Sequence, residues 1–176
     1  MRCLFLMALI VMGSSSVDEA WAQVAQSGYA LPLSLAIEAA SESIRTCQET
    51  GYAVSAVVVD TSGIIKLEAK GDHATIHTGT SAFRKAYTVV TMGPIFHFAT
   101  SSAFAASAAT NPNGAALSTL PNILPLPGGV AIKAGDEIVA ALGVAGSPGG
   151  DKDEACAQAG VSKIRDRVLA VHGSKD

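Results

Sequence analysis

Four histidines are the residues of this chain best suited to bind something: His73, His77, His97 and His172. A neutral imidazole is the commonest side-chain metal ligand. His73 and His77 are four apart and flanked by Asp72 and Thr75. On one helix that spacing places both rings on a single face, as in many metal sites. Gly71 implies a loop just before them, which puts His73 outside the helix; the alternative is two exposed polar residues. His97 stands among Phe96, Phe98 and Phe104, a setting that suits a flat apolar ligand and equally an ordinary packed histidine. His172 falls where a frayed end is expected.

Charged groups supply a second set. Arg84 and Lys85 are adjacent, so on a helix they point in different directions, one toward a ligand carboxylate and one toward solvent, or both toward water. The run Gly146 to Gly150 is rich in glycine and leads into a helix start, a geometry whose bare N–H groups can hold an anion. However, Asp151, Asp153 and Glu154 occupy the same first turn and repel anions, so self-capping of the helix is the expected reading. Asp151 and Glu154, three apart, could instead share a hard cation.

The inventory for covalent catalysis is poor. Cys156 follows an acidic turn that disfavours a thiolate. The chain has no G-x-S-x-G, no G-x-x-x-x-G-K-[ST] and no strand-led G-x-G-x-x-G.

Local patterns assign the elements that must position these groups. Leu33, Ile37, Ala40, Ile44 and Cys47 form an apolar stripe that predicts a helix from about Ser34 to Thr50, with Gly51 as its stop. Tyr52–Asp60 and Ile64–Ala69 read as two strands joined at Thr61-Ser62-Gly63. A helix is expected over Thr78–Thr91, ended by Gly93-Pro94, with a short one over Ser101–Ala109. Leu117–Leu126, broken by Pro121 and Pro125, allows at most a short edge strand. Val130–Lys133 and Glu137–Val144 predict a second hairpin, followed by a helix over Lys152–Val171. Short hairpin links force antiparallel pairing. Helices at both ends need one sheet to cover, so an α/β/α (α+β) layered domain follows.

Composition bounds the function class. The formal net charge is −3, which argues against a nucleic-acid binder, and no basic amphipathic stretch suggests membrane binding. Arg2, the apolar run Cys3–Met12 and Ala20-Trp21-Ala22 resemble an export signal cleaved after residue 22; a periplasmic or secreted protein is therefore expected. Residues 23–32 read as a loose lead-in and residues 33–172 as one domain. Cys47 and Cys156 remain after cleavage. They are either a disulfide between the first and last helices or two small buried hydrophobes.

Three segments carry a family resemblance: Val54 to Asp60 with Gly63; Phe83-Arg84-Lys85-Ala86-Tyr87; and Pro127-Gly-Gly-Val130 through Gly143-Val-Ala-Gly146 to Asp153-Glu154-Ala-Cys156-Ala-Gln-Ala-Gly160. Together they resemble the GlcG/HbpS family over roughly residues 33 to 170. The resemblance implies a profilin-like fold with a five-stranded antiparallel sheet between helical layers, a homo-oligomer, and haem as cofactor. Under that reading Phe83, Tyr87, Phe96, Phe98 and Phe104 wall an apolar groove, Lys85 or Arg84 faces the propionates, and His97, His77 or His73 meets iron. Asp151-x-x-Glu154 matches the acidic pattern proposed for iron in HbpS-type proteins. Haem breakdown, if any, would be slow and driven by the cofactor. The alternative is a non-catalytic sensor or accessory module for a small organic acid.

Overall fold

A computed structural model describes residues 28–173; the proposed leader lies outside them. The order is α1 (Leu33–Glu49), β1 (Ser55–Asp60), β2 (Ile65–Lys70), α2 (Thr78–Phe96), α3 (Ser101–Thr110), α4 (Gly114–Ser118), β3 (Gly129–Ala134), β4 (Glu137–Ala145) and α5 (Gly150–Gly173). The strands pair antiparallel in the order β2-β1-β4-β3. No helix among the described residues is long and apolar enough to cross a membrane.

The two hairpins are built by local chemistry. Asp60 Oδ1 accepts from Ser62 N–H and Ile64 N–H, and Gly63 takes the positive φ of 78° that closes the turn. Gly135, at φ 61°, does the same between β3 and β4. The central strands are buried on both faces. Val57 and Val59 of β1 meet Ala82, Ala86 and Val89 of α2, while Ala56 and Val58 join the core beneath α1 and α5. Alternation along a strand sends neighbours to opposite layers, so β1 and β4 read as continuous apolar runs. Tyr29 and Leu31, within the expected lead-in, are buried in the α1–α5 core.

Four strands are found among the described residues, not five. Leu117–Leu126 makes no strand. Its carbonyls are taken by side chains: Arg84 Nη2 donates to Ile123 O at 2.8 Å, and Ser101 Oγ donates to Leu126 O at 2.7 Å. The Thr88 hydroxyl meanwhile accepts from Leu124 N–H at 2.8 Å. Pro121 and Pro125 cannot donate to a ladder, and these side-chain bonds replace one.

Two helix readings also change. The buried face of α1 is Leu35, Ala36, Ala39, Ala40, Ser43 and Cys47, while Leu33 and Ile37 are exposed. Small residues face inward because α1 lies close against α5: a methyl on Gly160 would collide with Ala39 O and Ser43 Oγ. Helix α2 runs through Gly93-Pro94 to Phe96 and ends only at His97, in the left-handed conformation with φ 59°. Proline within a helix removes one hydrogen bond, which is least disruptive in a last turn that is already ending.

Cys47 and Cys156 are bonded, with Cα atoms 5.6 Å apart. The disulfide joins α1 to α5, settling the alternative left open by the two thiols.

Candidate functional site

The string from Pro127 to Gly160 is tied into the molecule by two buried carboxylates. Lys85 projects from α2 between β4 and α5. Its Nζ lies 2.7 Å from Asp153 Oδ2 and 3.0 Å from Val144 O. The other Asp153 oxygen accepts from Ser147 N–H at 3.0 Å and the Ser147 hydroxyl at 2.7 Å. Glu154 accepts from the Ser102 hydroxyl at 2.6 Å, Gly128 N–H at 3.1 Å and Ser102 N–H at 3.3 Å. Burying charge is costly unless it is compensated: Asp153 is paired with Lys85 and hydrogen-bonded, while Glu154 is held by three hydrogen bonds from neutral donors. One side chain from α2, two from α5 and one from α3 thus hold the loops at Gly128 and Ser147.

This corrects the expectation of self-capping. Asp153 reaches back to Ser147 in the loop just before α5, and Glu154 bonds to Ser102 and Gly128 in distant segments. Gly128 has φ 128°, and a Cβ there would lie 2.7 Å from Lys85 Nζ, so glycine lets the ammonium approach the backbone. Asp151 is exposed, whereas Glu154 is buried with its oxygens occupied. No cluster of three or more His, Cys, Asp or Glu able to hold a metal occurs among the described residues.

The aromatic residues form a seam along α2 and α3. Phe83 and Tyr87 lie 5.6 Å apart between ring centroids. Tyr87 and Phe98 pack on the buried cluster of Met92, Phe104 and Ile123. Phe98 meets Phe104 at 5.5 Å, and Phe96 stacks on Phe98 at 6.1 Å with planes 3° from parallel. Phe104 is buried, yet Phe96 is 40% and Ile95 45% exposed. The C-terminal end of α2 therefore presents an open apolar surface.

His97 stands on that surface. It is exposed, and its ring makes no hydrogen bond among the described residues. A non-glycine residue in the left-handed region costs about 1–2 kcal/mol, and such strain persists only where the surroundings impose it.

The other histidines lie elsewhere. His77 immediately precedes α2, where its side chain makes no capping bond; its Nδ1 lies 3.2 Å from Thr75 Oγ1. His73 sits in the preceding loop at φ 64°, so the two do not share a helical face. At about 1.5 Å per residue, α2 separates His77 from His97 by about 30 Å, so no single metal can take both. Arg84 is half-buried and pins Ile123; Lys85 is committed to Asp153. Spacing drew attention to His73 and His77, and aromatic neighbours to His97. Neither carried a signal for Ser102 or Ser147, whose roles exist only because distant loops meet.

The family model described as "Haem degrading protein HbpS-like" matches residues 31–162. Among solved structures, the crystal structure of HbpS is 34% identical, with a TM-score of 0.71, covering 82% of this chain and 97% of that one. A double mutant of Streptomyces reticuli HbpS is also 34% identical, with a TM-score of 0.71, over 86% of this chain and 97% of that one. The complex of PduOC with haem is 19% identical, with a TM-score of 0.67, over 77% and 96%; that likeness concerns the fold. No curated protein matches.

Proposed function

Since this chain belongs to the HbpS-like family, we propose that it binds haem at the C-terminal end of α2, with His97 facing the iron. The observation that carries this reading is an exposed imidazole without a hydrogen-bond partner among the described residues, set on the stacked pair Phe96 and Phe98 beside exposed Ile95. Imidazole is a standard axial ligand of haem iron, and a flat apolar surface matches the face of a tetrapyrrole. One solved neighbour of similar fold, PduOC, is itself a haem complex, and the matching family is described by haem degradation. Bound haem would supply redox and oxygen chemistry; the chain would supply the seat and the ligand.

Lys85 is spoken for by Asp153, and Arg84 lies about 20 Å of helix from His97. The propionates are therefore left to solvent in this reading. We keep export, homo-oligomer formation and slow haem breakdown as parts of the same proposal. Export follows from the leader-like residues 1–22, and oligomers would cover exposed Leu33, Ile37, Ile64 and Ile65.

Haemin titration tests the central claim. A Soret band should appear at micromolar protein. It should shift or weaken in His97→Ala and stay unchanged in His77→Ala. A band indifferent to both substitutions, or absent from the wild type, overturns it. Mass spectrometry of the protein recovered from an export-competent host should give a mature chain starting at Gln23.

A further inference from the structure

A groove of about 320 Å³ opens between β3, the edge strand of the sheet, and the second half of α5. It shares no lining residue with the His97 surface. Val161, Arg165 and Val168 form its α5 wall, spaced four and three apart on one helical face. Val130, Ala131, Ile132, Lys133 and Gly135 form the β3 wall. The volume lies at the lower end of the range for small-molecule sites, roughly 300–1,000 Å³.

Two features set the chemistry. The walls are mostly aliphatic, and the only charged groups among the described lining residues are the two cations, Lys133 and Arg165. Both are exposed. Arg165 donates to Ser162 Oγ at 3.2 Å, and neither cation forms an ion pair among the described residues. The nearest acidic residues in sequence, Asp136 and Asp166, are exposed and do not line the groove. The groove thus sets two cations, without ion pairs among the described residues, over an apolar floor. Guanidinium binds carboxylates with two parallel hydrogen bonds, and aliphatic walls reward an apolar body.

We propose that this groove is a binding site for a small monocarboxylate carrying a short apolar body, separate from the haem seat. A bare anion would leave the walls unused. A neutral amphiphile would leave both cations unmatched.

The test uses octanoate as probe, with octanol and inorganic phosphate as the two half-matched controls. Amide resonances would be followed by NMR during each titration of the full mature chain. Octanoate should saturate with shifts centred on β3 and α5. Octanol and phosphate should each bind at least about tenfold more weakly, a difference of about 1.4 kcal/mol. The double variant K133Q/R165Q, altered only at exposed positions, should lose about the same factor while keeping its melting temperature. Repeating the titration on His97→Ala separates the two sites, since octanoate binding should be unchanged there. Three results each overturn the proposal: no shifts at roughly 1 mM octanoate, equal affinity for octanol, or shifts centred on α2 and α3.

Discussion

Lys85→Met removes the cation that faces Asp153 inside the protein. The wild-type side chains are 5% and 3% exposed, with Nζ 2.7 Å from the carboxylate and 3.0 Å from Val144 O. Methionine is close in volume and flexible, so the packing loss is small. What remains is a buried carboxylate without its counter-ion, and a carbonyl without a donor. Removing one partner of a buried pair costs about 3–5 kcal/mol. Asp153 keeps both bonds from Ser147, which places the expected loss near the lower figure, at about 3 kcal/mol. For a chain of this size each kcal/mol moves the midpoint by about 2–4 °C, so the melting temperature should fall by about 6–12 °C. Urea unfolding at pH 7 measures the loss directly. Adding Asp153→Asn to Lys85→Met removes the stranded charge, so the double variant should recover part of the stability, a coupling that a double-mutant cycle isolates. A loss below about 1 kcal/mol in Lys85→Met, or no recovery in the double variant, would refute the view that this pair is a desolvated clamp.

His97→Gly should relieve a left-handed conformation worth about 1–2 kcal/mol, offset by about 0.4–1 kcal/mol of added chain entropy; urea melts should therefore show equal or slightly higher stability while the Soret response falls. Cys47→Ser with Cys156→Ser opens a link between residues 109 apart in sequence, with an expected loss of about 2–5 kcal/mol; intact wild-type protein should show no free thiol from this pair under denaturing conditions without reductant. Gly143→Ala drives a methyl into the backbone of α2 at Ala82; because backbone cannot swing aside, a loss at or above the usual overpacking range of about 1–3 kcal/mol is expected by thermal melts.

Local sequence carried much of the fold. The first hairpin rests on Asp60 and Gly63, the second on Gly135, and each is a matter of a few adjacent residues. The start of α2, the span of α5 and the short α3 also follow from nearby periodicity and stop signals. The inward face of α1 was not legible from its large residues. Leu33 and Ile37 promised burial, but the close approach of α5 selects Ala36, Ala39 and Ser43 instead, and small residues weigh little in an apolar pattern. The Leu117–Leu126 segment offered enough apolar character for a strand; side chains of Arg84, Thr88 and Ser101, 25 to 39 positions away, claimed its backbone first.

At the candidate site, residue types alone left His97, His77 and His73 as equal candidates and marked the phenylalanines around His97. Their arrangement as an open surface with a buried foundation depends on Phe98 and Phe104 meeting across the end of α2. For Lys85 the chain order named the residue but not its partner, since Asp153 is 68 positions away and nothing near either one reports the other. Composition likewise allowed Cys47 and Cys156 to be bonded or merely buried. Bringing their Cα atoms to 5.6 Å required α1 and α5 to pack on the same face of the sheet. Hydrogen bonds between neighbours along the chain are written in its local order; contacts between distant segments arise only when the core closes and chooses which surfaces meet.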